Sequence, residues 1–436
     1  MKLRPFELAL IVIFGILMVL SLILLKLYKP AVDSKVVTFG GPVTIWGTVP
    51  EDAFYNLIQD LISVNENFQS VSYYYVPERD FSAKFVSALA DGAGPDLLFL
   101  NQESLVQHRG RLEVIPYASF PVRDFKTAYV EGAEIFALTD GIYGFPVAVD
   151  PLMLYWNRDL FSGVNRLAPP ATWEEVVGEV VPALTARDFN RNISQSAVAM
   201  GEYENIRNAF PIISMLLLQG GSSLVSESNN KYRVALDERM GSIEAKPFSD
   251  ALAFYVNFNN VSNTLYSWNK ALANDRELFL SEKLALYFGF GSEAALLETK
   301  NPNLNFDIAP VPQGATVSAS AKRNYGLFYA FMIPKGAVNK AGAYAVMQEL
   351  GSVTNAKKIA DAYNMAPVHR SSLMAGSNDV YGREIYAAVA QSRGWLNPSR
   401  AKSDEILGLL LDDIAANRSN LFIATNDTLL RLQKAY

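Results

Sequence analysis

Residues 8–25 (LALIVIFGILMVLSLILL) form an apolar run without one charged side chain. No polar face interrupts it, so it does not read as an amphipathic helix laid on a globular core. As a helix it spans about 27 Å at ~1.5 Å per residue, close to the ~30 Å hydrocarbon core of a bilayer. Lys2 and Arg4 precede it, and Lys26 and Lys29 follow. After Leu25 comes Lys-Leu-Tyr-Lys-Pro, which offers no small-x-small cleavage site. The run therefore predicts an uncleaved, single-pass signal anchor in the cell membrane, with the rest of the chain on the extracytoplasmic side. A cleaved signal peptide is the alternative.

Composition narrows what that exposed part can do. With 436 residues the chain exceeds what one hydrophobic core organises, so two lobes are expected. A net charge of −6 and the lack of any Lys/Arg-rich run argue against nucleic acid as a partner. The chain has no cysteine, which excludes disulfides, thiolate catalysis, Cys-ligated metals and the acylated cysteine of a lipoprotein anchor. Only His108 and His369 are available for imidazole chemistry. Neither stands in a recognisable catalytic or metal-binding pattern, and His369 reads as a surface or loop residue. No cofactor is expected.

Beyond a short linker, hydrophobic periodicity switches repeatedly between two and 3.6 residues. Residues 42–46 (PVTIW), 70–76 (SVSYYYV) and 95–100 (PDLLFL) read as strands, and residues 52–67 and 80–89 as helices. This rhythm predicts a parallel sheet with crossover helices. Helices are further expected at 205–218, 248–257, 268–274, 340–350, 355–363 and 403–416, and one beginning at the N-cap Thr172 with Glu175 completing a capping box.

Motifs with chemical content are few. Gly289-Phe-Gly291-Ser-Glu-Ala294 matches a dinucleotide fingerprint, but the opening β-α-β unit lacks one, and a tight strand-to-helix turn is the reading adopted. Asp188-x-Asn190-x-Asn192 begins like a calcium loop but has Ile193 and Ala199 where glycine and glutamate belong, so it reads as a polar turn. Glu51, Glu103 and Asp150 fall at expected strand ends, which face the ligand crevice in an open α/β sheet. Trp46, Tyr155, Tyr325 and Trp395 are candidate platforms for the C–H face of a sugar ring.

Several segments, in order, resemble the extracellular solute-binding protein family 1, the maltose-binding-protein-like ABC importer subunits. They are Val43-Thr-Ile-Trp46-Gly47, Gly94-Pro-Asp96-Leu-Leu-Phe99, residues 279–291, Asp307-Ile-Ala-Pro-Val-Pro312 and residues 335–370. The most specific is Tyr143-Gly-Phe-Pro146-Val-Ala-Val-Asp150-Pro-Leu-Met-Leu-Tyr155-Trp-Asn157-Arg-Asp-Leu-Phe161, followed by Pro170-Ala-Thr172-Trp-Glu-Glu175. The resemblance implies a two-lobed, type II periplasmic-binding-protein-like α/β fold, each lobe a mixed sheet flanked by helices, behind the N-terminal transmembrane helix. Residues 1–36 would be anchor and linker, 37–147 with 313–356 the first lobe, and 148–312 with 357–436 the second. It also implies a small-molecule ligand, a sugar or oligosaccharide, delivered by hinge closure to an ABC transporter permease, with no catalytic residue. A sensor ectodomain or a carbohydrate-active enzyme are the alternatives. Carried over by position, the ligand contacts would be Asp150 at the hinge, Glu103 with Asn101 and Gln102 beside it, Thr48 and Glu51 in the first strand's loop, Ser292 and Glu293 after residues 279–291, and Trp395 as a stacking aromatic. Leu100 and Ser292-Glu293 stand where the family carries aromatics, which removes two platforms for a maltodextrin.

Overall fold

The computed structural model of the chain describes residues 39–238, 245–377 and 379–436, together with Met18. The chain divides into two compact units, Met1–Thr38 and Phe39–Tyr436. In the first only Met18 is described, in helical conformation, so the membrane span expected at residues 8–25 lies outside the described residues. Among the described residues no helix is long and apolar enough to cross a membrane.

The second unit opens as the periodicity predicts. Strands β1 (Val43–Gly47), β2 (Val71–Tyr75) and β3 (Leu97–Asn101) pair in parallel, with β1 in the middle. The crossover helices are Asp52–Ile62 and Glu78–Ala90. The first buries Phe54, Leu57, Ile58 and Leu61, one stripe at helical spacing, against this sheet. It stops short of the expected residue 67. A 3-10 turn, Glu66–Ser70, replaces the last residues, capped by the Asn65 side chain accepting from Asn67 N.

A short hairpin of β4 (Ala137–Leu138) and β5 (Gly141–Ile142) leads into β6 (Phe145–Asn157), whose 13 residues are all buried. β7 (Ala186–Arg187) and β8 (Ile193–Val198) follow, then a separate hairpin of β9 (Val225–Ser228) and β10 (Lys231–Val234). β11 (Leu284–Phe290), β12 (Phe306–Ala309), β13 (Asn324–Met332), β14 (Ala366–Pro367) and β15 (Ser392–Arg393) complete the strands. The main sheet runs β2-β1-β3-β13-β6-β11-β8-β7.

β6 joins its two halves. From Phe145 to Pro151 it pairs antiparallel with β13; from Leu152 to Trp156 it pairs with β11. Asp150 is therefore not at a strand end, as the sequence suggested, but one residue before this change of partner. One core cluster contains Val43, Ile45, Phe54, Phe99, Met347 and Ile359. A second, larger one takes in Tyr155, Val198, Ile213, Leu286 and Leu407.

Other expectations fare unevenly. The Lys340–Leu350 helix has the expected limits. Thr172 caps its helix by accepting from Glu175 N at 3.2 Å, but the Glu175 carboxylate reaches Ala171 N at 3.0 Å, one residue before the cap. Residues 268–274 are not helical. Trp268 is instead buried, its Nε1 donating to Asn205 at 3.0 Å, and Asn274 caps a helix at Asp275–Leu280. His369 is buried rather than on the surface, its Nε2 3.0 Å from the Gly351 carbonyl. The Asp188 carboxylate accepts from Asn192 N and Nδ2, closing the polar turn between β7 and β8.

The Gly289–Ala294 segment is the tight strand-to-helix turn. Gly289 lies inside β11, where a Cβ would stand 2.6 Å from the Tyr287 ring and 2.9 Å from the Tyr155 ring. Those tyrosines face each other across β11 and β6 and are fully buried. The glycine makes room for aromatic packing rather than for a pyrophosphate. Gly289→Ala is expected to destabilise the protein by about 1–3 kcal/mol through overpacking, read as a lower urea midpoint at unchanged slope.

Candidate functional site

Residues at or just past the carboxyl ends of β2, β3 and β11 border one cleft of about 890 Å³. That is where an open α/β sheet presents a ligand site. Tyr75 ends β2, Pro77, Glu78 and Arg79 follow it, and Glu103 and Ser104 follow β3. From the other half of the sheet come Arg207, Asn208, Phe290, Ser292 and Glu293, with Ser399, Arg400 and Asp404 from the start of the Arg400–Ala415 helix. Asp150 of β6 and Leu327 and Tyr329 of β13 complete the lining where the two halves join.

The carboxylates are held, not loose. Asp150 accepts from Ser292 N at 3.1 Å and Ser292 Oγ at 2.5 Å, a link from β6 to the turn after β11. Burial carries its pKa up to about 7; the Ser292 bonds oppose the rise and Glu293 adds to it. Glu293 accepts from Tyr287 OH at 2.6 Å, Phe290 N at 3.0 Å and Asn208 Nδ2 at 3.1 Å. Glu103 accepts from Arg400 Nη1 at 3.3 Å and from the Tyr325 hydroxyl. Arg400 also meets Asp404 through Nε at 2.9 Å and lies 4.7 Å from the Phe210 ring centroid. Burial works against the Arg400 charge, but Glu103 and Asp404 outweigh it and raise its pKa. Glu78 is pushed up by the surrounding protein first and by Glu103 second, against the pull of Arg400. His108, wedged edge-on against Phe81 and Phe85, is lowered to about 4 by burial and Arg111, so it is neutral at pH 7.

Of the residues the sequence singled out, the structure brings Glu103, Asp150, Ser292 and Glu293 to the cleft. It does not bring the aromatics. Tyr155 and Tyr325 are fully buried and Trp395 is 1% exposed. They form a layer behind the lining: Tyr155 OH donates to the Phe290 carbonyl at 2.6 Å, Tyr325 to Glu103, and Trp395 stacks on Phe210 under Arg400. Trp46 is half-buried against the core, Thr48 is half-buried, and Glu51 is exposed ahead of the Asp52–Ile62 helix; none borders the cleft. Asn101 and Gln102 are buried and structural. Asn101 Oδ1 accepts from Glu103 N, and Gln102 Oε1 accepts from Phe328 N at 2.6 Å, fixing the turn after β3 onto β13.

The aromatic rings in the lining are Tyr75, Phe81, Phe290 and Tyr329, with the His108 imidazole; sequence reasoning chose none of them as a ligand contact. Tyr75 and Glu78 were within reach of it, since the strand-end rule that selected Glu103 applies equally to the end of β2. Arg400 and Asp404, an i,i+4 pair on a late helix, carried no such signal. Among the described residues no group of three His, Asp or Glu side chains is gathered to hold a metal.

A two-part α/β sheet joined by one long strand, with a ligand-sized cleft at the strand ends, defines a two-lobed solute-binding protein. The family model of the bacterial extracellular solute-binding proteins matches residues 50–357, and the chain belongs to that family. Curated relatives from Brucella abortus and Brucella suis, named only as binding proteins, are 20% identical over 288 residues, 64% of this chain and 64% of theirs. Solved structures with the same fold include a cyclo/maltodextrin-binding protein complexed with maltotetraose (TM-score 0.69, 14% identical, covering 90% of this chain and 96% of that one). The sugar-binding protein MalE of Xanthomonas citri (0.69, 16%, 90% and 97%) and the GacH receptor of Streptomyces glaucescens GLA.O (0.67, 17%, 91% and 98%) are others.

Asp150 gives the site a pH signature. An acid whose folded-state pKa exceeds its unfolded value, near 3.9, holds its proton more tightly when folded. Stability therefore falls as pH rises from ~4 to about 7 and is level above. Asp275, buried and also raised to about 7, acts in the same direction. Asp150→Asn is expected to flatten the slope across that window by up to ~1.4 kcal/mol per pH unit while leaving the Asp275 part. Denaturant titrations at a series of pH values check it; an unaltered slope would contradict the burial argument.

Proposed function

We propose that the chain captures a carbohydrate in the cleft and delivers it to an ABC importer at the outer face of the membrane. The observation that carries this reading is the cleft lining, where Tyr75, Phe290 and Tyr329 sit among Glu103, Asp150, Asn208, Arg207 and Ser292. Flat aromatic faces cover the C–H faces of a sugar ring, and carboxylates, amides and guanidinium groups bond its hydroxyls. The fold relatives support it by what they carry: maltotetraose in one, acarbose with GacH, and alpha-D-tagatose in an ABC transporter solute-binding protein from Thermotoga lettingae.

In this reading residues 37–147 with 313–356 form the first lobe and 148–312 with 357–436 the second, β6 crossing between them beside β13 of the first. The Val353–Ala362 helix packs Ala356, Ile359 and Ala360 on the core of β1–β3, which favours moving the late boundary past Met365. Residues 8–25 tether the lobes to the cytoplasmic membrane; the support is their uncharged, span-length composition. Closure needs only higher affinity for the closed state, so no catalytic group is required.

A thermal-shift panel of maltotetraose, mannotriose, D-tagatose and acarbose tests the ligand class. A true ligand at roughly 100-fold its Kd adds about 2.7 kcal/mol of stability; no shift with any sugar would contradict the proposal. Tyr75, 44% exposed in the lining, is the most accessible aromatic face. Tyr75→Ala should weaken binding of a sugar that shifts the midpoint by ~0.5–1.5 kcal/mol in isothermal titration, with the ligand-free midpoint unchanged.

A further inference from the structure

Outside the cleft, Arg109 is 8% exposed yet touches two separated parts of the chain. On its own side, Nη2 donates to Asp140 at 2.8 Å, and the guanidinium lies 5.0 Å from the Tyr143 ring centroid. On the other, it reaches the β9–β10 hairpin: Nη1 donates to Tyr232 OH at 2.8 Å and Glu227 at 3.2 Å, and Nη2 to Asn230 at 2.5 Å. Glu227 in turn accepts from Thr139 Oγ1 at 2.9 Å. The hairpin is itself fixed to the C-terminal helix Leu421–Ala435, through Gln433 to Val234 N at 2.8 Å and to the Tyr232 carbonyl at 3.0 Å.

In the lobe division proposed above, Arg109, Thr139, Asp140 and Tyr143 belong to the first lobe, and Glu227, Asn230, Tyr232 and Gln433 to the second. We infer that the β9–β10 hairpin is a clasp that fastens the two lobes independently of the ligand and holds them together before a solute arrives. None of its residues borders the cleft. With the clasp formed, Glu103 and Arg400 already meet across the cleft at 3.3 Å, so the clasp goes with the drawn-together arrangement. A buried arginine shared between two carboxylates, with aromatic rings beside it, is well compensated and selects one geometry. Because affinity scales with the fraction of molecules in the competent state, a clasp of this kind sets apparent affinity from outside the site.

The inference rests on the two-lobed reading but not on the ligand being a sugar. The chain has no cysteine, so spin labels on Lys84→Cys and Lys402→Cys, both exposed, report only the distance between the two sides. Double electron–electron resonance on the full chain in detergent compares this background with Glu227→Gln/Tyr232→Phe. Asp140 remains to pair Arg109, and circular dichroism verifies folding. The ligand-free clasp variant should give a longer, broader distance distribution. The milder Asn230→Ala should shift it less in the same direction, which keeps the test valid if the double variant does not fold. An unchanged or shortened distance in a folded variant overturns the clasp. Adding millimolar maltotetraose to the background separates the failures: if sugar shortens the distance and the clasp variants leave it alone, only the clasp is lost. If neither moves it although maltotetraose raises the melting midpoint, the closing-lobe reading goes too.

Discussion

Along the path of the main sheet β6 changes partner, and the short strands β14 and β12 pair with its two halves as well. Up to Pro151 its partner is β13; from Leu152 it is β11. That change of partner within one continuous strand joins the two halves of the sheet and places Asp150 beside the junction. All 13 residues are buried, so the strand cannot be displaced without opening both halves. The cleft inherits its position from this constraint: strand ends on either side face each other only because β6 and β13 hold the halves in register.

The polar groups of the cleft follow the same logic. Asp150, Glu103 and Glu293 are all tied to protein partners, Ser292, Arg400 with Tyr325, and Tyr287 with Asn208. A buried carboxylate with fixed donors keeps its orientation when a solute arrives, which lowers the ordering cost of binding. Tyr155, Tyr325 and Trp395 form a packed layer behind the lining, in which the Tyr325 hydroxyl holds Glu103. The aromatic rings that line the cleft are Tyr75, Phe81, Phe290 and Tyr329.

How far the sequence could be read depended on which faces of each element are buried. The Asp52–Ile62 helix has one apolar stripe, and its core residues were legible. So was the Thr172 cap, which is a local interaction. In β6 and β13 nearly every residue is buried, the period-two signal disappears, and nothing local tells that Asp150 and Tyr329 border the cleft while Tyr155 and Tyr325 do not. Family position singled out Glu103 and Asp150, and topology places both in the cleft lining. Trp395, chosen the same way, is buried and stacks on Phe210, the ring beside Arg400. Arg400 and Asp404 were invisible because their role depends on a helix nearly 300 residues distant in sequence from Glu103.

The central claim is that one solute is gripped from both sides of the β6 junction. Hydrogen–deuterium exchange, with and without a sugar that raises the melting temperature, tests it most directly. The account predicts slower exchange at once in residues 75–82 and 103–108 on one side and in residues 207–210, 290–294 and 399–404 on the other. Protection confined to one side, or falling on segments away from the cleft, would contradict it.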